Sequence, residues 1–171
     1  MSADTAAIVA AQLGRPTRSE SEVRATCALG LPVVIEVPPV LEDGTPFPTT
    51  FWLTCPLASK RIGRLEGLGG VKQLERYAEH DEAFGAALDA AHARYARERD
   101  ARLPDGLEHA PSGGVGGTRT GIKCLHAHYA DFAAGNENPV GAVTAPFVEP
   151  LDCTTPCVVD GERDPAWREP R

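Results

Sequence analysis

Apolar and polar positions follow changing periods along the chain, and the changes mark its elements. From Thr5 to Leu13 apolar positions recur at three- and four-residue steps until Gly14 and Pro16 stop them, which predicts a short helix. Leu31 to Val37 is dense in β-branched residues and runs into Pro38 and Pro39, which predicts a strand that ends sharply. Leu41 to Pro48 reads as a turn, since Gly44 after Asp43 tolerates positive φ and Pro46 and Pro48 hold an extended exit. Thr49 to Thr54 then predicts a second strand. The two strands make an antiparallel hairpin with Cys27 before the first and Cys55 directly after the second, two ends that lie side by side in such a pair.

Helical spacing returns from Ser59 to Glu79, broken at Gly67 to Gly70, so two helical pieces are predicted there. Asp81 is a good N-cap for the next helix, which runs to about Arg102 through Phe84, Leu88, Ala91 and Tyr95 and ends before Pro104. Its stretch Arg94 to Arg102 mixes both charge signs and reads as a solvated face. Pro111 to Gly121 is too rich in glycine for regular structure and feeds a helix from about Ile122 to Ala134, stopped at Gly135 to Pro139. The pattern predicts one α+β domain over residues 1–158, three to four helices packed around a small antiparallel hairpin or sheet, with a disordered tail over 159–171. No internal repeat is present.

Composition narrows the function classes. At 171 residues the chain is long enough for one self-sufficient core, and a formal charge of −7, from 17 Lys and Arg against 24 Asp and Glu, argues against unspecific attachment to nucleic acid or anionic lipid. No apolar run approaches the ~20 residues that span a bilayer, and Met1 to Thr5 lacks the basic and apolar regions of a signal peptide, so no membrane insertion and a cytoplasmic location are expected. In that compartment five cysteines, an odd number, do not form a disulfide framework; buried thiols, metal ligands or a reactive thiol remain.

The chemistry concentrates between Gly113 and His128, where a glycine-rich loop enters a helix that opens with Cys124, His126 and His128. A helix start offers unpaired N–H groups and a positive dipole end, so Cys124 is expected to ionise more easily than an ordinary cysteine. On a regular helix Cys124 and His128 share a face while His126 points away, which favours Cys124 with His128 as a pair. With Cys27 and Cys55 from the hairpin ends this makes a Cys₃His set suited to zinc. The same three thiols, with Cys157 or Cys153 as a fourth, equally suit an iron–sulfur cluster. The close pair that structural zinc sites favour occurs once, as Cys153 and Cys157. Gly116, Gly117, Arg119 and Lys123 resemble a phosphate loop in composition, but Ile122 separates Gly121 from Lys123 and Cys124 follows, so it is no Walker motif; a helix start with two cations still suits a small phosphate or carboxylate. No third group completes a Cys124–His128 nucleophilic dyad. His80, His92 and His109 lie in polar stretches and receive no role, and Trp52 reads as core.

Taken together, Thr26 to Val34, Asp43 to Pro56, Arg64-Leu65-Glu66, Lys123-Cys124-Leu125-His126 and Asn138 to Gly141 give the chain a resemblance to the actinobacterial family called domain of unknown function 501. The resemblance runs from the first helix to the terminal cysteines. It implies no established activity; members tend to be encoded near enolase, a small septum-formation protein and an exopolyphosphatase-like enzyme, which points to cell division or polyphosphate. The family pattern matches Cys27, Cys55, Cys124 and His126 and commonly has a second cysteine where this chain carries Leu29. It therefore implies His126 as the ligand in place of His128, which requires the helix to begin later than its periodicity predicts.

Three functions follow as expectations. The first is a metal or iron–sulfur protein using Cys27, Cys55 and Cys124 completed by His126, His128 or Cys157. The second is a metal-free interaction module linked to cell division or the envelope, and the third is an enzyme for a phosphate ligand using the Gly113 to Lys123 loop.

Overall fold

The computed structural model describes residues 1–107 and 109–170. Helix α1 (Ala3–Leu13) is capped by the Ser2 hydroxyl, which accepts from the Thr5 N–H, and ends at Gly14 in the left-handed region with φ 72°. Three antiparallel strands follow, β1 (Glu22–Thr26), β2 (Pro32–Glu36) and β3 (Phe51–Leu53), with β2 in the middle. Val34 pairs with Leu53 and Ile35 with Trp52, so the predicted hairpin is β2 with β3. The additional strand β1 is an edge. Its exposed and half-buried residues alternate, Glu22 and Arg24 among them, and so carry no apolar signal.

Next come α2 (Pro56–Gly67), α3 (Gly70–His80) and α4 (Glu82–Asp100). The break between α2 and α3 falls at the predicted glycines, and the Asp81 carboxylate accepts from the Phe84 N–H at the start of α4. Helix α5 (Leu125–Ala133) begins later than its periodicity predicts, because Cys124 is an extended N-cap residue with φ −161° and ψ 150°. Helix α6 (Pro139–Val148) was not predicted. Its entry, Asn138-Pro139, reads as a stop in sequence but works as an N-cap followed by proline at the first helical position, with the Asn138 side chain accepting from the Gly141 N–H. The fold is thus α+β, with six α-helices among the described residues where three to four were expected.

A second small hairpin, β4 (Val158–Val159) with β5 (Glu162–Arg163), occupies the stretch expected as a tail. Beyond it Trp167 is 6% exposed and packs into the main core, while Glu169 pairs with Arg64.

The core forms around β2, whose Val33, Val34 and Ile35 are buried on both faces, with Leu57, Ile62, Leu125, Tyr129 and Val140 from the helices. The stretch Arg94 to Arg102, expected as a solvated face, is exposed at Arg97, Glu98, Asp100, Ala101 and Arg102 but turns Tyr95 and Arg99 inward. Arg99 is 1% exposed and donates to the Gly113 carbonyl at 2.6 Å, Arg94 reaches the buried Asp131, and Arg102 pairs with Glu36. Long arginines at helical spacing look like surface in sequence; here the Arg99 guanidinium supplies a donor to the glycine loop, and those of Arg94 and Arg102 pair with carboxylates.

Candidate metal centre

Cys124, His126 and Glu66 meet where the N-terminus of α5 abuts the last turn of α2. Cys124 does not cap α5 with its own side chain; the Glu66 carboxylate does so, its Oε1 accepting from the Leu125 N–H at 2.6 Å. The same oxygen lies 3.1 Å from His126 Nδ1, and His126 Nε2 lies 3.2 Å from the Ser59 carbonyl. One ligand atom from each of Glu66, Cys124 and His126 falls within 4.8 Å of the others, and among the described residues no other group of three metal-ligating side chains is as tightly drawn together. All three are half-buried.

Cys124 and His126 line a large cavity of about 510 Å³. Its remaining wall comes from the β3 strand, the first turns of α2 and the end of α1. Among the described residues three cations, Lys60, Lys123 and Arg163, line it, and no carboxylate does. Phe47, Phe51 and Trp52 give it an apolar side. Trp52, expected in the core, is half-buried: Phe47 stacks on it at 5.4 Å and the Arg15 guanidinium sits 4.8 Å from its centroid.

The Cys124 thiol is held above its ordinary range, contrary to the helix-start expectation. Burial is the larger cause and the Glu66 carboxylate adds to it, outweighing Lys123 and the first-turn amides of α5. A cation at this point reverses that balance, since it favours the thiolate and is itself favoured by the carboxylate.

The other candidate ligands divide. Cys27, on the turn between β1 and β2, and Cys55, the N-cap of α2, are neighbours as predicted, lining one small cavity together with Cys153 and Cys157 rather than joining Cys124. The Cys55 thiol is pushed up to about 11, mainly by burial. All five cysteines are free thiols. His128 is fully buried on the far side of α5, its Nδ1 3.1 Å from Asn138 Oδ1, and burial pulls it down to about 4. The helical-face pairing of Cys124 with His128 fails because an extended N-cap residue is off the helical lattice.

The glycine loop is packed, with Val115 fully buried. His92, given no role from sequence, clamps it: Nδ1 accepts from the Val115 N–H at 3.0 Å and Nε2 faces the Gly121 carbonyl at 3.0 Å. The Gly114 and Gly117 amides donate to carbonyls within the loop, and Lys123 Nζ donates to the Gly116 carbonyl. These amides are not free to cradle an anion as a phosphate loop's are. Gly116 and Lys123 line the large cavity, whereas Gly117 and the exposed Arg119 do not. Glu66 is the candidate ligand that ligand chemistry does not single out in sequence; its only signal there is the Arg64-Leu65-Glu66 motif, which carries the resemblance.

Among the described residues, no helix is long and apolar enough to cross a membrane. No curated protein and no solved structure matches the chain. Residues 23–145 match a family described as "Protein of unknown function (DUF501)". That span holds Glu66, Cys124 and His126, while α1 and the terminal Cys153 and Cys157, included in the resemblance drawn from sequence, fall outside it. The chain belongs to the DUF501 family.

Proposed function

We propose that the protein binds one divalent metal ion, zinc by donor chemistry, through Glu66, Cys124 and His126, and presents it to a small organic anion in the adjoining cavity. The observation that carries this reading is the convergence of a carboxylate, a thiol and an imidazole within 4.8 Å of one another, the thiol and the imidazole also lining a cationic cavity. Three protein ligands of mixed sulfur, nitrogen and oxygen type are what zinc sites that act on a ligand use, with the fourth position left open. A cation between His126 Nδ1 and Glu66 takes the place of the proton that otherwise joins them.

Lys60, Lys123 and Arg163 attract the anionic end of a ligand, and Phe47 and Trp52 cover its apolar part. When bound, the metal supplies Lewis acidity toward a carbonyl, phosphoryl or water oxygen. An iron–sulfur cluster on Cys27, Cys55 and Cys124 is the weaker reading, because the first two thiols line a different cavity.

Zinc content measured side by side in the wild-type protein and Cys124→Ser is the test. The wild type is expected to carry one equivalent more than the variant, and zinc at 100 times its dissociation constant is expected to stabilise this site by about 3 kcal/mol. Equal zinc content in the two proteins overturns the proposal and leaves the Glu66 contacts as a helix cap and ion pair in a metal-free interaction module.

A further inference from the structure

We infer that Cys27, Cys55, Cys153 and Cys157 form a second site, a closed structural one for a single zinc ion, that pins the C-terminal segment to the sheet and to α2. The four thiols come from three separate stretches of chain. They are the β1–β2 turn, the N-cap of α2, and the segment between α6 and β4, and all four line one cavity. Cys153 and Cys157 have the short spacing found in structural zinc sites, and the two partners that complete the set come from a turn and a helix start.

The cavity between the sulfurs is small, about 10 Å³, which suits a single ion better than a cluster of several irons and sulfides. Leu31, Leu57 and Leu151 line it beside the sulfurs, with Gln12 as the polar side chain, a lining that suits an ion held by protein sulfur in a structural role.

Two hydrogen-bond donors support the assignment independently of the sulfurs. Gln12, itself 6% exposed, points Nε2 at Cys157 Sγ at 3.7 Å. Trp167, also 6% exposed, lines the cavity with its indole Nε1 buried and without a partner. A buried indole N–H without an acceptor costs about 1–3 kcal/mol, and thiolates held by a metal are acceptors where neutral thiols are poor ones.

The four sulfurs are more widely spread than the Glu66, Cys124 and His126 donors, since no three of them lie within 4.8 Å of one another. Closing on an ion falls to Cys27 and Cys153, both half-buried on irregular segments, while the buried Cys55 and Cys157 stay fixed. Because the ion joins segments at opposite ends of the chain, its binding free energy becomes stability of the C-terminal segment.

The test uses the full-length Cys124→Ser protein, in which the first site is disabled, purified with zinc and without chelator. One equivalent of zinc is expected, with X-ray absorption fine structure showing four sulfur neighbours at about 2.3 Å. No zinc, fewer than three sulfur neighbours, or a disulfide among the four thiols found by alkylation and mass spectrometry overturns the inference. Cys153→Ser with Cys157→Ser in the otherwise native chain gives a second reading. It is expected to lose one zinc while keeping that of Cys124, and to raise hydrogen exchange over residues 158–167 at least tenfold. If this variant does not fold, the absorption spectrum of Cys124→Ser decides alone. Failure of the Glu66 site leaves this one intact, because Cys124→Ser measures it with that site already disabled.

Discussion

Helix α5 carries two histidines two residues apart that answer to opposite surroundings. His126 faces the large cavity, is partly exposed, and meets acceptors at both ring nitrogens, Glu66 and the Ser59 carbonyl. His128 is fully buried with Asn138 on Nδ1 and no partner on Nε2, and the ring of His92 lies 5.5 Å away. Around it Asp131 binds Asn136, Asn138 and Arg94, the last at 2.5 Å. The first face offers exchangeable contacts to a ligand, while the second is closed and joins α4, α5 and the α6 cap. One nine-residue helix thus separates a half-buried face on a cavity from a closed, hydrogen-bonded packing face.

The comparison breaks hardest if the buried face is not structural. Asp131→Ala leaves the Arg94 guanidinium and two asparagine side chains without their shared acceptor, and a broken buried pair of this kind costs about 3–5 kcal/mol. Urea unfolding of the variant is expected to show that loss with zinc content unchanged. A loss under about 1 kcal/mol would mean that the network does not hold the helices together.

A smaller effect follows from pH. Burial lowers His128 from 6.5 to about 4 and lowers His92 as well, so the unfolded chain takes up protons first as pH falls. Stability from His128 is therefore complete above pH 6.5 and declines toward pH 4, by about 3 kcal/mol for this group. Asp131 acts in the opposite sense at the acid end, because burial raises its carboxyl above the ordinary value and the folded protein accepts that proton more readily. Unfolding measured from pH 7 to pH 4.5 is expected to show a falling slope that flattens in His128→Gln. An unchanged slope in that variant would place the titration elsewhere.

These two faces were unequally legible. The periodicity of α4, the glycine break between α2 and α3, and the β2–β3 hairpin all follow from local rules that the chain obeys. What escaped depends on partners far away in sequence. Asn138-Pro139 reads as a stop until its side chain is seen capping α6, and Arg99 reads as surface until the Gly113 carbonyl is found beneath it. The structure brings Cys124 and His126 together with Glu66 and not with the companions expected for them, because the helix was expected from Ile122 and begins at Leu125, and Glu66 sits 58 residues upstream of Cys124. Trp167 sits in the core from a charged, proline-bearing stretch whose composition predicts no packing.

The finest test concerns Glu66, which belongs to both readings of the cavity face. As a cap it needs only an oxygen that accepts the Leu125 N–H; as a metal ligand it needs a negative charge. Glu66→Gln keeps the first and removes the second. It is expected to hold stability within about 0.5 kcal/mol in the presence of a chelator while zinc affinity at Cys124 and His126 falls by roughly 100-fold or more, the upper range for loss of a group that merely supports a ligand. Glu66→Ala removes both, and is expected to cost about 1 kcal/mol in chelator as a lost cap does. If calorimetry finds the same zinc affinity in Glu66→Gln as in the wild type, the carboxylate is a cap alone, and the metal reading is left with a thiol and an imidazole, too few protein ligands for a stable zinc site.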